Sequence, residues 1–179
     1  MSEVLAVVPD EIETAARDLL DLACRRDIAI VTAESCTGGL VASLLTDVEG
    51  ASRAFERGFV VYTDEAKCEL LAVDHAMIAR HGAVSRETAI AMAEGALRRS
   101  HGQVAVSITG FAGPAGPDDE PGLVHFACAI DGAATRHREE HFGDIGRGPV
   151  RIKCLAVAID MLREAIAITP TRGAAPKSS

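Results

Sequence analysis

Aromatic side chains are nearly absent from this chain: its 179 residues include no tryptophan, one tyrosine and five phenylalanines. That excludes the stacked aromatic platforms that hold single-stranded nucleic acid, and it leaves any core to aliphatic side chains. Basic residues are in deficit too. Eighteen Lys and Arg against 26 Asp and Glu give a net charge of -8, the wrong sign for a face that neutralises nucleic-acid phosphates. Arg25-Arg26 and Arg98-Arg99 are the visible basic pairs, and both fall where helices are expected to end, which suits the helix dipole better than a DNA contact. No segment reaches the roughly 18 uninterrupted apolar residues of a membrane span. An acid precedes the first apolar run, so no secretory leader is expected. Cysteines number five, an odd count with wide spacing and no CxxC, which argues against a disulfide framework or a zinc site and for a reducing cytoplasm.

What is present is enough for one well-buried domain. Hydrophobic residues make up 48% of the chain, and the length is too short for two comfortable cores. Residues 1–9 read as an N-terminal extension, 10–168 as the domain and 169–179, with two prolines and two terminal serines, as a disordered tail. Asp10 is expected to cap a helix running to about Arg26, with Ile12, Ala16, Leu19 and Ala23 on its apolar stripe. Strands are expected at 28–33, 58–62 and 104–109. Helices should follow at 37–47, at 64–71 capped by Asp64, at 86–100 capped by Ser85, and at about 151–168, with a short turn near 77–80. Residues 123–130 and 135–142 read as a hairpin around Asp131-Gly132, and the charge-alternating second arm reads as an edge strand. Strands alternating with helices, then a hairpin, predict a single-domain α/β protein: a three-layer α/β/α sandwich with a mixed sheet.

Three loops follow three apolar strands, and in a parallel arrangement they converge on one sheet edge. The first, Glu34-Ser35-Cys36-Thr37-Gly38-Gly39, leads from a strand into a helix. Such a turn presents backbone N–H groups that can bind an anion or stabilise an oxyanion beside a nucleophile. Ser35 or Thr37 can attack a carbonyl if a base takes the hydroxyl proton. The same residues can also serve only the backbone, with Thr37 capping the helix. Cys36 sits where a helix dipole lowers a thiol pKa, yet all six histidines lie outside these loops and thiol chemistry normally wants one.

The second loop, Tyr62 to Lys67, offers a lysine in the first turn of a helix. The dipole and partial burial there favour the neutral amine, a form able to activate a serine, although a lone lysine beside Asp64 and Glu65 can equally be a solvated charge. The third loop opens Thr109-Gly110-Phe111-Ala112-Gly113 and matches neither a P-loop nor a dinucleotide fingerprint. Arg147 and Arg151 can hold a phosphate bidentately or simply begin a helix. His125, inside an apolar run, reads as a satisfied core histidine, and Asp118-Asp119-Glu120 as solvated loop acids.

Taken together these segments resemble the CinA C-terminal domain family, which includes stand-alone nicotinamide mononucleotide amidases. The resemblance rests on Ala33-Glu34-Ser35-Cys36-Thr37-Gly38-Gly39, on Tyr62-Thr63-Asp64-Glu65-Ala66-Lys67, on His81-Gly82-Ala83-Val84-Ser85 and on Ile108-Thr109-Gly110-Phe111-Ala112-Gly113-Pro114, in that order, over about residues 10–167. It implies a cytoplasmic amidohydrolase, commonly a homodimer, that needs neither metal nor cofactor. Its small-molecule nucleotide substrate, nicotinamide mononucleotide, would yield nicotinate mononucleotide and ammonia, with no nucleic-acid or membrane partner.

Carried over by residue, Ser35 is the implied nucleophile, Lys67 the base and Tyr62 an assisting hydrogen-bond partner. Thr109, Gly110 and the glycines after it line the pocket, the N–H groups of Cys36, Thr37, Gly38 and Gly39 form the oxyanion site, and Arg147 and then Arg151 are the phosphate candidates. Asp64 stands where the family has Asn, and it opposes a lowered Lys67 pKa. The alternative expectation is a non-catalytic pyridine-nucleotide-binding or regulatory module of the same fold.

Overall fold

Parallel strands need a crossover of a dozen or more residues between them, and antiparallel strands need only a tight turn. Both rules are visible in the chain order of the computed structural model, which describes residues 8–113, 116–117 and 119–169. It runs α1 Asp10–Arg26, β1 Ile30–Glu34, α2 Leu40–Thr46, a short 3-10 turn Ala51–Arg53, β2 Phe55–Val60, α3 Asp64–Leu71, α4 His75–His81, α5 Arg86–Arg98, β3 Val104–Gly110, β4 Leu123–Ile130, β5 Arg136–His141 and α6 Arg147–Ile168. The sheet order is β2-β1-β3-β4-β5. β1 pairs parallel with both β2 and β3, whereas β3–β4 and β4–β5 are antiparallel. Among the described residues the fold is α/β with a mixed five-stranded sheet and six helices. β5 is an edge, as its charge alternation predicts.

Period-2 alternation divides the core. Ile30, Val106, Ile108 and Phe126 face one side of the sheet, where they pack with Leu19 of α1, Val41 and Leu45 of α2 and Leu155 and Leu162 of α6. Val31, Ala33 and Ala105 face the other side, against Leu71 of α3, Ile78 of α4 and Met92 and Ala96 of α5. Helices therefore cover both faces. The scarcity of aromatics shows directly in the packing: Phe126 is the one aromatic among the largest fully buried side chains. Small residues let the layers approach closely. A Cβ on Gly95 of α5 would overlap the Leu71 carbonyl oxygen at the end of α3.

Several helix ends differ from expectation by the residue that supplies the cap. α1 begins at Asp10 after Pro9, with no side-chain cap. α3 is capped by the Thr63 hydroxyl, which accepts from Ala66 N, and Asp64 is its first residue. α2 starts at Leu40, so Thr37 lies outside it and does not cap it. α6 starts four residues earlier than expected and takes in Arg147, because Pro149 falls within a first turn, where its missing N–H costs nothing. Ser85 caps α5 as predicted, its hydroxyl accepting from Thr88 N. The expected extension at 1–9 lies outside the described residues except for Val8 and Pro9. Of the tail expected at 169–179, only Thr169 is described, and there the α6 residue Ala165 gives its carbonyl to both the Thr169 N–H and hydroxyl.

Candidate functional site

β1 leads to α2 on one face of the sheet, and β2 leads to α3 on the other. The chain therefore parts at the carboxyl ends of β1 and β3, the place where α/β sheets open a crevice. Glu34 shapes the first wall. Fully buried, its carboxylate accepts from the N–H groups of Gly39 and Val41 at 3.1 Å each and of Ala42 at 2.8 Å. A buried acid thus does the work of an N-cap for α2, favoured by charge at a helix N-terminus. Gly38 (φ 64°) and Gly39 (φ 95°) take the left-handed backbone that folds residues 35–39 back under that carboxylate. Ser35 N–H donates to Ile108 O at 3.0 Å, which ties the turn to β3.

A pocket of about 260 Å³ occupies the crevice, lined by Ser35, Cys36, Tyr62, Lys67, Ala83, Val84, Thr109, Gly110, Phe111, Ala112, Gly113 and Arg147. All three expected loops contribute to it. Lys67 is the notable member, since its side chain is only 1% exposed. Its Nζ donates to the carbonyl oxygens of Tyr62 at 3.2 Å and Thr63 at 3.5 Å, and among the described residues none of its hydrogen bonds goes to Ser35. Desolvation by burial pushes the Lys67 amine below its ordinary range. Asp64 is the largest opposing influence, and burial outweighs it. Tyr62 holds the lysine through its carbonyl while its side chain is exposed at the rim.

Thr109, 1% exposed, donates its hydroxyl to Ala83 O at 2.7 Å. That bond fastens the 81–85 segment against β3 and brings Ala83 and Val84 to the pocket. Arg147 reaches it from the first turn of α6, its guanidinium lying against Gly113. Arg151, one turn on, is outside the lining and donates Nε to Cys36 O at 2.8 Å. Thr37, Gly38 and Gly39 are outside the lining as well. The Thr37 hydroxyl is buried without a hydrogen-bond partner among the described residues. Of the N–H groups in the turn, Gly38 is committed to Ser35 O and Gly39 to Glu34, which narrows an oxyanion site there to Cys36 and Thr37.

Sequence reasoning passed over Glu34, Ala83, Val84, Phe111 and Ala112, whereas Gly113 lines the pocket as expected. For Glu34 the signal was present: an acid five residues before a Gly that precedes a helix. Away from the pocket, one group of metal-competent side chains stands out among the described residues, His125, His137 and Glu139. No described helix is long and apolar enough to cross a membrane.

Residues 12–166 match the model of the CinA C-terminal domain. The chain belongs to the CinA C-terminal domain family. Its relatives include the nicotinamide-nucleotide amidohydrolase PncC of Escherichia coli K12, 45% identical over 140 residues that make up 76% of this chain and 84% of that protein. A CinA-like protein of Akkermansia muciniphila is 51% identical over 114 residues, 63% of this chain. The match spans only 28% of that longer relative. The crystal structure of the competence/damage inducible protein CihA from Agrobacterium tumefaciens superposes with a TM-score of 0.86 at 41% identity, covering 91% of this chain and 99% of that one.

Proposed function

We propose that the chain is a nicotinamide-nucleotide amidohydrolase that converts nicotinamide mononucleotide to nicotinate mononucleotide and ammonia. The observation that carries the reading is a lysine buried to 1% exposure, its amine pushed toward the neutral form, in one pocket with the serine of a strand-to-helix turn. The name of the Escherichia coli relative supplies the substrate. In this reading Ser35 Oγ attacks the carboxamide carbon while its proton passes to Lys67 Nζ. The oxyanion meets the N–H of Cys36, the pocket-lining residue beside the nucleophile. Collapse breaks the C–N bond, and ammonia leaves with the proton from Lys67. Water then cleaves the Ser35 ester with Lys67 again as base, releasing the nicotinate product. Arg147 binds the phosphate, the Tyr62 side chain closes the rim, Thr109 and Gly110 shape the wall, and Arg151 steadies the Cys36 carbonyl. The five cysteines are all unpaired, which fits a reducing cytoplasm.

Ammonia release from nicotinamide mononucleotide by purified protein is the direct test. Ser35→Ala and Lys67→Met should each lower kcat at least about a hundredfold. Wild-type activity in either variant would refute the mechanism. The homodimer belongs to the same reading, and sedimentation equilibrium should return twice the chain mass.

One observation favours a second reading. Lys67 is hydrogen-bonded to two carbonyls, with Asp64 nearby to favour its charge. A non-catalytic pyridine-nucleotide-binding module would use that ammonium to hold an anion. It predicts saturable nucleotide binding by calorimetry with no ammonia released.

A further inference from the structure

Three of the six histidines, His125, His137 and His141, lie on the antiparallel strands β4 and β5. The β4–β5 register sets His125 directly opposite Glu139 and Ala127 opposite His137. Residues of β5 two apart share a face, so His137 and Glu139 both face the side on which His125 is buried. His125 Nδ1 lies 3.1 Å from His137 Nε2 and 3.4 Å from Glu139 Oε2. All three donor atoms fall within 4.8 Å of one another.

We propose that His125, His137 and Glu139 form a binding site for a zinc-class transition-metal ion, separate from the pocket that holds Ser35 and Lys67. The spacing is the main argument. Zinc bonds to nitrogen and oxygen of about 2.0–2.1 Å imply a tetrahedral edge of about 3.3–3.4 Å. Two edges already stand within a few tenths of an ångström of that length. The third closes by a rotation of Glu139, whose side chain is 45% exposed. Two ring nitrogens at 3.1 Å can share only one proton between them, and the ion takes that proton's place.

Ligand chemistry agrees with the spacing. Two imidazoles and a carboxylate are a zinc donor set that leaves the fourth position to water. Burial holds both imidazoles below their ordinary range and so favours the neutral form, in which one ring nitrogen offers a lone pair to a metal. An outer shell is in place as well. His141 Nε2 lies 3.0 Å from Glu139 Oε1, and His141 Nδ1 lies 2.7 Å from Glu120 Oε1, which orients the carboxylate as supporting residues do in metal sites. Arg86 and Glu87 at the start of α5 are the other charges near the pair, of opposite sign to each other. The ion would staple the edge strand β5 to β4 at the residue paired with Thr109 on β3.

The whole apo-protein is titrated with Zn²⁺ by calorimetry and with Co²⁺ by visible spectroscopy, and its melting is followed with and without Zn²⁺. One ion per chain is expected, with tetrahedral Co²⁺ bands free of thiolate charge transfer and a rise in Tm on adding Zn²⁺. His137→Asn and Glu139→Gln lie on an edge strand where folding tolerates change. Each should weaken binding at least about tenfold and abolish the Tm rise. Cys24→Ser and Cys68→Ser should leave both intact. The absence of saturable binding would overturn the proposal, as would thiolate bands or affinity unchanged in both His137→Asn and Glu139→Gln. His125→Asn adds a third ligand test, and the two edge-strand variants decide the matter if it fails to fold.

Discussion

Replacing Gly113 with alanine perturbs the Arg147 end of the pocket, proposed above to bind phosphate, without removing any charge. A Cβ at this position would overlap Nη2 of Arg147 and stand 2.8 Å from Cζ and 3.1 Å from Nε, whereas ordinary contact begins at 3.4 Å. The guanidinium must therefore retreat by more than half an ångström. Its position is the far end of a flexible side chain, so the retreat is cheap in stability. Gly113 does not have a left-handed φ, and alanine in a compatible loop stabilises by about 0.4–1 kcal/mol through the unfolded chain. Tm should thus hold or rise slightly.

Binding behaves otherwise. Losing a charge-assisted hydrogen bond to a phosphate costs about 1.5–3 kcal/mol, equivalent to roughly 10- to 150-fold in kcat/KM. The assay is ammonia release against nucleotide concentration in wild type, Gly113→Ala, Arg147→Ala and the double variant. Because the methyl acts only through the guanidinium, the two losses should not add: the double variant should match Arg147→Ala. Activity of Gly113→Ala within twofold of wild type, or full additivity in the double variant, would refute the placement of Arg147 on the phosphate.

Lys67→Met should raise thermal stability at low pH while abolishing turnover. The folded pKa of Lys67 lies below the unfolded value of about 10.4, so between the two the unfolded chain binds more protons and stability rises with pH. The Tm advantage of Lys67→Met should therefore shrink as pH climbs, and an advantage independent of pH across that window would contradict the buried-charge account. Glu34→Ala strips α2 of an acceptor for three N–H groups and should cost about 2–4 kcal/mol, lowering Tm by roughly 5–15 °C in calorimetry. Gly95→Ala gains about 1 kcal/mol of helix propensity but drives a methyl into the Leu71 carbonyl, which is backbone and cannot swing away. The net should be a loss of about 1–3 kcal/mol in denaturant titrations, with reduced turnover because α3 carries Lys67.

Local pattern made much of this legible. The hairpin was readable because Asp131-Gly132 separates an apolar run from a charge-alternating one, and Gly132 does adopt the left-handed backbone such a turn favours (φ 74°). Convergence of the three loops followed from strand order alone. Caps were less readable, since a cap depends on which side chain reaches back: Thr63 rather than Asp64, and Glu34 rather than Thr37. The depth of Lys67 had no local signature. It comes from Leu71 and α3 being pressed onto the Gly95 face of α5, which is a tertiary fact. His125 read as a core histidine because its partners His137 and Glu139 meet it only through the β4–β5 register.

The protonation state of Lys67 decides between the two functional readings, and the geometry shows why. A neutral amine has two N–H donors and one lone pair. Donation to Tyr62 O and Thr63 O uses both donors and leaves the lone pair over. Lys67 and Ser35 line the same pocket, and in the proposed hydrolase reading that lone pair takes the proton of the serine hydroxyl. An ammonium in the same place carries a third N–H instead and attracts an anion. Asp64 and Glu65 at the start of α3 favour the charged form. They are incompletely buried and act partly through solvent, whereas the desolvation acts on the amine itself. The same buried lysine thus makes a base when burial dominates and an anion receptor when the acids do. Asp64→Asn removes the largest opposing charge and should shift the acid limb of kcat to lower pH. An unmoved limb would mean that the carboxylate does not reach the amine.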